Sequence, residues 1–417
     1  MKILYITYDG LTDPLGRSQV LPYLIALSTR GFRITILSCE KPARFEQDEA
    51  AIRRICENSG LLWKPLPYHH RPPLLAPIYN ALALKRAAAR LHRRTPFDLV
   101  HCRSYIPAMA GLHLKRRFGI PFLFDMRGFW PDERLDGGGW PLSHPVYRRV
   151  YAYFKRIEAE LLREAGHIIS LTRAGKNQLL TRPKIQLGGP DITVIPCCVD
   201  VDHFPPIDKR SKAAGRTALS ISADARVVAY LGSIGGWYLL GEMLDFFRAY
   251  SRRYPDAMFL LVTPGDPAII VAKAAKAGLS SERLIIRSAA RDEVPRLMAT
   301  ADLGLFFVKP CFSATACSPT KMAEMLALGL PVVTNTGVGD VAEIVRDTGC
   351  GVAIEGFSEE AYEAAIDSIE SLALSAQQLR ETARSLFDID IAIDRYEEVY
   401  RALAPTSDVR ISTKRGA

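Results

Sequence analysis

Two residues in the stretch 318–333, Ser-Pro-Thr-Lys-Met-Ala-Glu-Met-Leu-Ala-Leu-Gly-Leu-Pro-Val-Val, could do chemistry: Lys321 and Glu324. Lys321 falls in the first turn of a helix, where the macrodipole disfavours a cation by about 0.3–1 kcal/mol unless an anion is near. Glu324 lies among Met322, Ala323, Met325, Leu326 and Ala327, a setting in which a carboxylate is rarely left unpaired. One ligand would satisfy both. The free N–H groups of the first turn, with Ser318, Thr320 and Lys321, would bind a phosphate, and Glu324 would accept hydrogen bonds from neighbouring hydroxyls, as a ribose diphosphate offers. The structural alternative has Lys321 extending into water and Glu324 capping nearby backbone.

The element that must position these residues has clear ends. Ser318 is expected as N-cap, Pro319 takes the first helical position, and Gly329 with Pro331 stops the helix. Residues 331–334 read as a buried parallel strand entered directly from it.

Further candidates follow at strand ends. Gly16, in the turn between the strand 2–8 and the helix 18–30, leaves room for a phosphate or sugar to approach the backbone. Gly232 and Ser233 form a turn that can present N–H groups to a phosphate, or simply turn the chain. Arg287 and Ser288 end a strand on the same rim, where a base could meet backbone groups. The loop after the strand 121–126 holds Arg127, Asp132, Glu133 and Arg134 beside Phe129 and Trp130. Open α/β sheets place ligands at such carboxyl ends, so these four are candidates for the acceptor side; an ion-pair network pinning the loop is the alternative. The turn at Gly16 lacks G-x-G-x-x-G, which argues against a nicotinamide or flavin enzyme.

Composition sets the frame. A chain of 417 residues is long for one core, and 48% hydrophobic with 24% charged residues is ordinary for a globular protein. Apolar runs such as 303–308 are too short to span a bilayer and the amino terminus shows no cleavage-site pattern, so a cytoplasmic location is expected. Eight cysteines without CxxC or paired Cys/His spacing read as reduced core thiols, with no metal site. Residues 1–205 hold 30 Lys and Arg against 18 Asp and Glu, whereas the whole chain carries +9. The basic half has clusters at Lys85-Arg86, Arg90, Arg93-Arg94, Lys115-Arg116-Arg117, Arg148-Arg149 and Lys155-Arg156, interleaved with Leu82, Leu84, Leu91, Leu112, Leu114, Tyr151 and Phe154. They could rest on anionic lipid at the inner face of the cytoplasmic membrane, or be solvated helix faces. No recognition motif for nucleic acid accompanies them.

Along the chain, strands at 2–8, 33–38, 98–101, 121–126, 167–171 and 192–196 alternate with helices. A second series runs through strands at 227–231, 258–263, 284–287, 303–308, 331–334 and 351–354. The segment 200–224, with Pro205-Pro206 and no periodicity, is expected to be the linker. This predicts an α/β chain of two doubly wound, Rossmann-like domains facing across a cleft, at 1–205 and 206–386. A helix at 387–405, carried by Phe387, Tyr396 and Tyr400, would cross back to the first domain, and 406–417 would be a flexible tail.

This arrangement resembles the GT-B fold and, more narrowly, the family-4 retaining glycosyltransferases. The residues that carry the resemblance are the first strand with its Gly16 turn, Asp98-Leu99-Val100-His101, the run from Val194 through Cys197 and Cys198 to Asp200 with Phe204, Tyr230-Leu231-Gly232-Ser233, and 318–333 with Gly339 and Glu343. The resemblance implies a hexosyltransferase-type enzyme. It would move a sugar from a nucleotide-diphosphate sugar to a glycan or lipid-linked acceptor with retention, without an obligatory metal or cofactor, in polysaccharide or glycolipid biosynthesis. Glu324 matches the second glutamate of the E-x7-E motif and would hold the ribose. The first is replaced by Ala316, a basic pair expected after Gly232 is replaced by Gly236-Trp237-Tyr238, and a histidine often found after the fourth strand is replaced by Arg127. Lys321 would then carry the diphosphate charge largely alone, with Lys309, Arg287 or Arg291 in reserve. Catalytic roles are accordingly expected of Lys321, Glu324 and Arg127. A sugar-nucleotide epimerase and a non-catalytic sugar-nucleotide-binding protein remain the alternatives.

Overall fold

The computed structural model describes residues 1–72, 76–182, 188–373 and 375–404; the expected tail at 406–417 lies outside them. The first sheet contains β1 (Lys2–Thr7), β2 (Arg33–Glu40), β3 (Leu62–Pro67), β4 (Leu99–Arg103), β5 (Phe122–Asp125), β6 (His167–Ser170) and β7 (Ile192–Val194) in the order β3-β2-β1-β4-β5-β6-β7. The second contains β8 (Val227–Leu231), β9 (Met258–Val262), β10 (Leu284–Arg287), β11 (Leu303–Leu305), β12 (Val332–Asn335) and β13 (Gly351–Ile354) in the order β10-β9-β8-β11-β12-β13. Strand pairs in both are parallel. The strand order reverses between β1 and β4 and again between β8 and β11. A doubly wound sheet opens a crevice at such points, and the Gly16 and Gly232 turns leave from them.

Alternation along β1 serves both faces of the first sheet. Ile3 and Tyr5 join one core with Leu24, Leu27 and Ile36, whereas Leu4 and Ile6 join the other with Leu84, Val100 and Phe124. The second sheet is embedded in one continuous core drawn from Val199 to Phe387.

Three sequence expectations need correction. β3 went unread because Pro65 and Pro67 interrupt its alternation; it lies at the sheet edge, where a missing N–H is tolerated. The segment 200–224 is not irregular throughout: helix Lys209–Ala218 starts in a capping box of Asp208 and Ser211. It is held by polar contacts, Arg216 reaching Asp302 at 2.8 Å and the carbonyl of Thr300 at 3.2 Å, which hydrophobic periodicity does not register. The strand at 303–308 stops at Leu305.

The polypeptide crosses between the domains twice, and the crossings are tied together. Val199 N–H donates to Phe387 O and Ile389 N–H to Val199 O, both at 2.9 Å. Helix Ile389–Ala402 then packs on the first sheet, burying Ala392, Ile393, Tyr396, Val399 and Tyr400 in its core, while Phe387 stays in the core of the second domain.

Candidate active site

Helix Thr320–Ala327 is buried from Lys321 onward. Its cap is Pro319 rather than Ser318, because the Ser318 hydroxyl is engaged elsewhere: it accepts the N–H of Cys197, on the interdomain crossing, at 3.1 Å. The carboxyl end closes as expected, with Gly329 at φ 79° and Leu330 N–H bonding back to Met325 O at 3.0 Å. Met322 N–H is taken by Pro319 O at 3.0 Å, and the N–H groups of Thr320 and Lys321 have no acceptor among the described residues.

The Lys321 amine sits 3.1 Å from the ring centroid of Tyr238 and 4.8 Å from that of Tyr230, and 3.4 Å from the Tyr230 hydroxyl. Burial pulls its pKa from 10.5 down to about 7, against the opposing pull of Cys317 and Glu324. Gly232, at φ 124°, closes the third side; a Cβ there would lie 3.2 Å from both Cε and Nζ of Lys321. Where a basic pair was expected after Gly232, the chain supplies Tyr238. Its ring faces the existing cation instead of adding another.

Glu324 is also buried, and burial raises its pKa although Arg291 and Lys321 counter it. One carboxylate oxygen accepts from Arg291 at 3.1 Å, and the Arg291 guanidinium lies 5.5 Å from the Phe204 ring centroid. Arg291 is therefore committed to Glu324, and Lys309 reaches the carbonyl of Asp136 at 2.7 Å. Arg287 and Ser288 are exposed at the end of β10. Ser233 is exposed too, its carbonyl accepting the Tyr230 hydroxyl.

The facing wall comes from the first domain. Gly16 lies within the short helix Pro14–Gln19, where a Cβ would sit 2.0 Å from the Gly10 carbonyl oxygen, so backbone crowding in its own turn already requires a glycine there. From the same helix Gln19 accepts from Arg127 at 3.4 Å and donates to Cys198 O at 3.0 Å. Arg127, at φ 58° after β5, also contacts Cys197 Sγ at 3.1 Å. Gln19, Arg127, Cys197 and Ser318 thus form a continuous line from the Gly16 turn to the Lys321 helix. Beneath it, burial would raise the pKa of Asp125, but Arg127, His101 and Arg103 hold it low.

The other acceptor candidates separate. Asp132 is pinned by Tyr151 at 2.6 Å and Lys155 at 2.8 Å, the loop-fixing alternative, and Arg134 lies on the surface over Trp130. Glu133 faces Gly128, where a Cβ would sit 2.3 Å from its Oε1, and burial lifts its pKa to about 7.

The two walls meet at a closed seam. Asp340 accepts Arg173 N–H at 2.6 Å and Ala174 N–H at 2.8 Å, Thr172 donates to Thr315 O at 2.7 Å, and Phe129 stacks on Phe312 at 5.2 Å. Ala316 packs into the core of the first domain. Sequence reasoning gave no site role to Tyr238, Gln19, Cys197 or Asp340; each matters through a contact distant in sequence.

Residues 22–203 match Glycosyltransferase Family 4, and residues 212–386 match Glycosyl transferases group 1. Among known proteins, the chain is 24% identical over 379 residues to a D-inositol 3-phosphate glycosyltransferase of Mycobacteroides abscessus, covering 87% of this chain and 79% of that one. It is also 24% identical over 324 residues to the protein of that name from Thermobispora bispora, covering 73% and 70%. Among solved structures, sucrose-phosphate synthase from Thermosynechococcus elongatus superposes with a TM-score of 0.72 at 16% identity, covering 96% of this chain and 98% of that one. Anabaena Alr3699/HepE in complex with UDP and glucose gives 0.67 at 17%, covering 96% and 100%. The chain belongs to the family-4 glycosyltransferases of the GT-B fold and is a glycosyltransferase.

Proposed function

We propose that this enzyme transfers a sugar from a nucleotide-diphosphate sugar to a glycan or lipid-linked acceptor with retention, in polysaccharide or glycolipid assembly. The observation that carries the reading is the Lys321 amine, buried at a helix amino terminus with aromatic rings around it and no ion-pair partner among the described residues. A buried cation without a counter-charge is costly, and a diphosphate would supply one. The UDP and glucose in the Anabaena complex support a donor of that class.

Breaking the anomeric C–O bond puts developing negative charge on the leaving phosphate, and fixed donors aimed at that charge are the main catalytic term. Lys321 and the N–H groups of Thr320 and Lys321 would take that role. The helix terminus alone contributes about 2 kcal/mol at most, so the full cation does the larger share. Glu324, steadied by Arg291, would bind the ribose hydroxyls; the Gly232 N–H is taken by Val262 O at 2.9 Å, so of that turn only the Ser233 N–H would face the phosphates. Arg127 and Glu133 would face the acceptor.

The test is a thermal-shift panel of UDP-, GDP-, ADP- and TDP-linked sugars and free diphosphates on wild type and Lys321→Ala. Binding to the native state raises Tm by mass action. A shift for one nucleotide class, lost in the variant, identifies the donor and its site; no shift from any of them overturns the reading.

A further inference from the structure

Helices Ala76–Arg94 and Tyr105–Phe118 pack side by side on the first domain and carry eight Lys and Arg without one Asp or Glu. Between them is an open cavity of about 360 Å³ lined by Leu82, Lys85, Arg86, Ala89, Arg90, Arg93, His113 and Arg117. Ordinary structural roles account for only part of this charge. Arg116 pairs with Glu160 at 3.2 Å, and Lys115 reaches Glu164, on the neighbouring helix. Lys85, Arg86, Arg90, Arg93 and Arg117 have no acidic partner among the described residues, although they surround one cavity. Burial holds the His113 pKa below its ordinary value, and the charges of Lys85, Arg117 and Arg93 add to it. Five like charges around one cavity repel one another unless an anion enters.

The same helix shows what that anion is attached to. Ile78, Leu82, Lys85, Ala89 and Arg93 recur at helical spacing along one face, and Ile78, Tyr79 and Leu82 are exposed. An apolar end running into a cationic cavity matches an amphiphile whose phosphate is charged and whose chains are not. We propose that this groove binds the phosphate headgroup of a bilayer lipid, with Ile78, Tyr79 and Leu82 against the acyl region. The site is separate from the Lys321 site, and the inference does not depend on the donor.

The full chain would be sedimented with vesicles of phosphatidylcholine alone and of phosphatidylcholine with phosphatidylglycerol. Wild type should bind only the anionic vesicles. The variant Lys85→Gln/Arg90→Gln/Arg93→Gln should lose about 100-fold in partitioning, the scale of three basic side chains at an anionic surface. The variant Arg148→Gln/Arg149→Gln/Arg156→Gln, which removes the same charge from another helix, should keep it, with unchanged melting curves establishing that both fold. Equal loss in the two variants would overturn the site in favour of diffuse attraction. Failure of wild type to bind anionic vesicles, or binding of inorganic pyrophosphate in the groove without vesicle binding, would overturn the lipid assignment.

Discussion

Lys321 directs its amine at the face of Tyr238, 3.1 Å from the ring centroid, at the first turn of a buried helix. Ring faces attract a cation but do not neutralise it, so the free enzyme carries an electrostatic cost that a bound diphosphate removes. Lys321→Met, similar in volume and uncharged, should therefore raise the stability of the free protein by about 1–3 kcal/mol, the scale of an unsatisfied buried polar group. It should also lower kcat by about 10²–10³-fold, as for loss of one oxyanion donor. Denaturant melts and initial rates on the same preparation check both; a variant both less stable and nearly fully active would remove Lys321 from the mechanism.

The low pKa of this lysine also predicts a pH dependence. Between about pH 7 and its ordinary value of 10.5 the unfolded chain holds a proton on Lys321 that the folded chain has released. The unfolded state binds more protons there, so this residue makes the free protein more stable as pH rises through that window. Donor binding acts in reverse. A diphosphate favours the ammonium, so binding above pH 7 takes up a proton and affinity falls as pH rises, approaching about tenfold per unit. Calorimetry in buffers of different ionisation enthalpy measures the uptake. A donor Kd that is flat from about pH 6 to 9 would contradict it.

Gly232 borders the same amine. Its φ of 124° is reached easily only without a side chain, and a Cβ there would press on Cε and Nζ of Lys321 at 3.2 Å. Gly232→Ala should cost about 1–3 kcal/mol in stability from backbone strain and raise the KM for donor more than it lowers kcat, because the amine is displaced rather than lost. Steady-state kinetics separate the two. An unchanged KM would mean that the turn does not shape the donor site.

The doubly wound architecture was legible because both sheets are built from short β-branched runs separated by helical spacing, and Lys321 with Glu324 was legible because each breaks a local rule of helix composition. What escaped was set by contacts across the fold. Ser318 looks like an N-cap in its own segment, but Cys197, 121 residues away, claims its hydroxyl. Arg291 looked free for phosphate until Glu324 proved to be its partner. Asp132 and Arg134 stand beside Glu133 in sequence, yet Asp132 is buried in its bonds to Tyr151 and Lys155 and Arg134 is exposed, whereas Glu133, half-buried, faces Gly128 without an ion pair among the described residues. β3 and the helix at Lys209–Ala218 failed for a different reason: one holds two prolines and the other is secured by Arg216 and Asp302, so neither shows the apolar period that identifies its kind.

Asp340 belongs to the second domain, but its carboxylate accepts the N–H groups of Arg173 and Ala174, which open a helix of the first. Its negative charge at that amino terminus is favoured by the helix dipole as well as by the two hydrogen bonds. Because the contact forms only when the domains meet, it stabilises closure without touching either substrate. Asp340→Ala should therefore destabilise the protein by about 0.5–2 kcal/mol, the scale of losing a helix cap. Donor affinity should be nearly unchanged, because the groups around Lys321 stay in place. Closure keeps water from a reactive donor, so the variant should hydrolyse a larger share of the donor for each transfer it completes. Product analysis at saturating acceptor measures that ratio, with Asp340→Asn, which keeps one accepting oxygen, expected between the two. A ratio equal to wild type in Asp340→Ala would show that the seam holds closed without this contact.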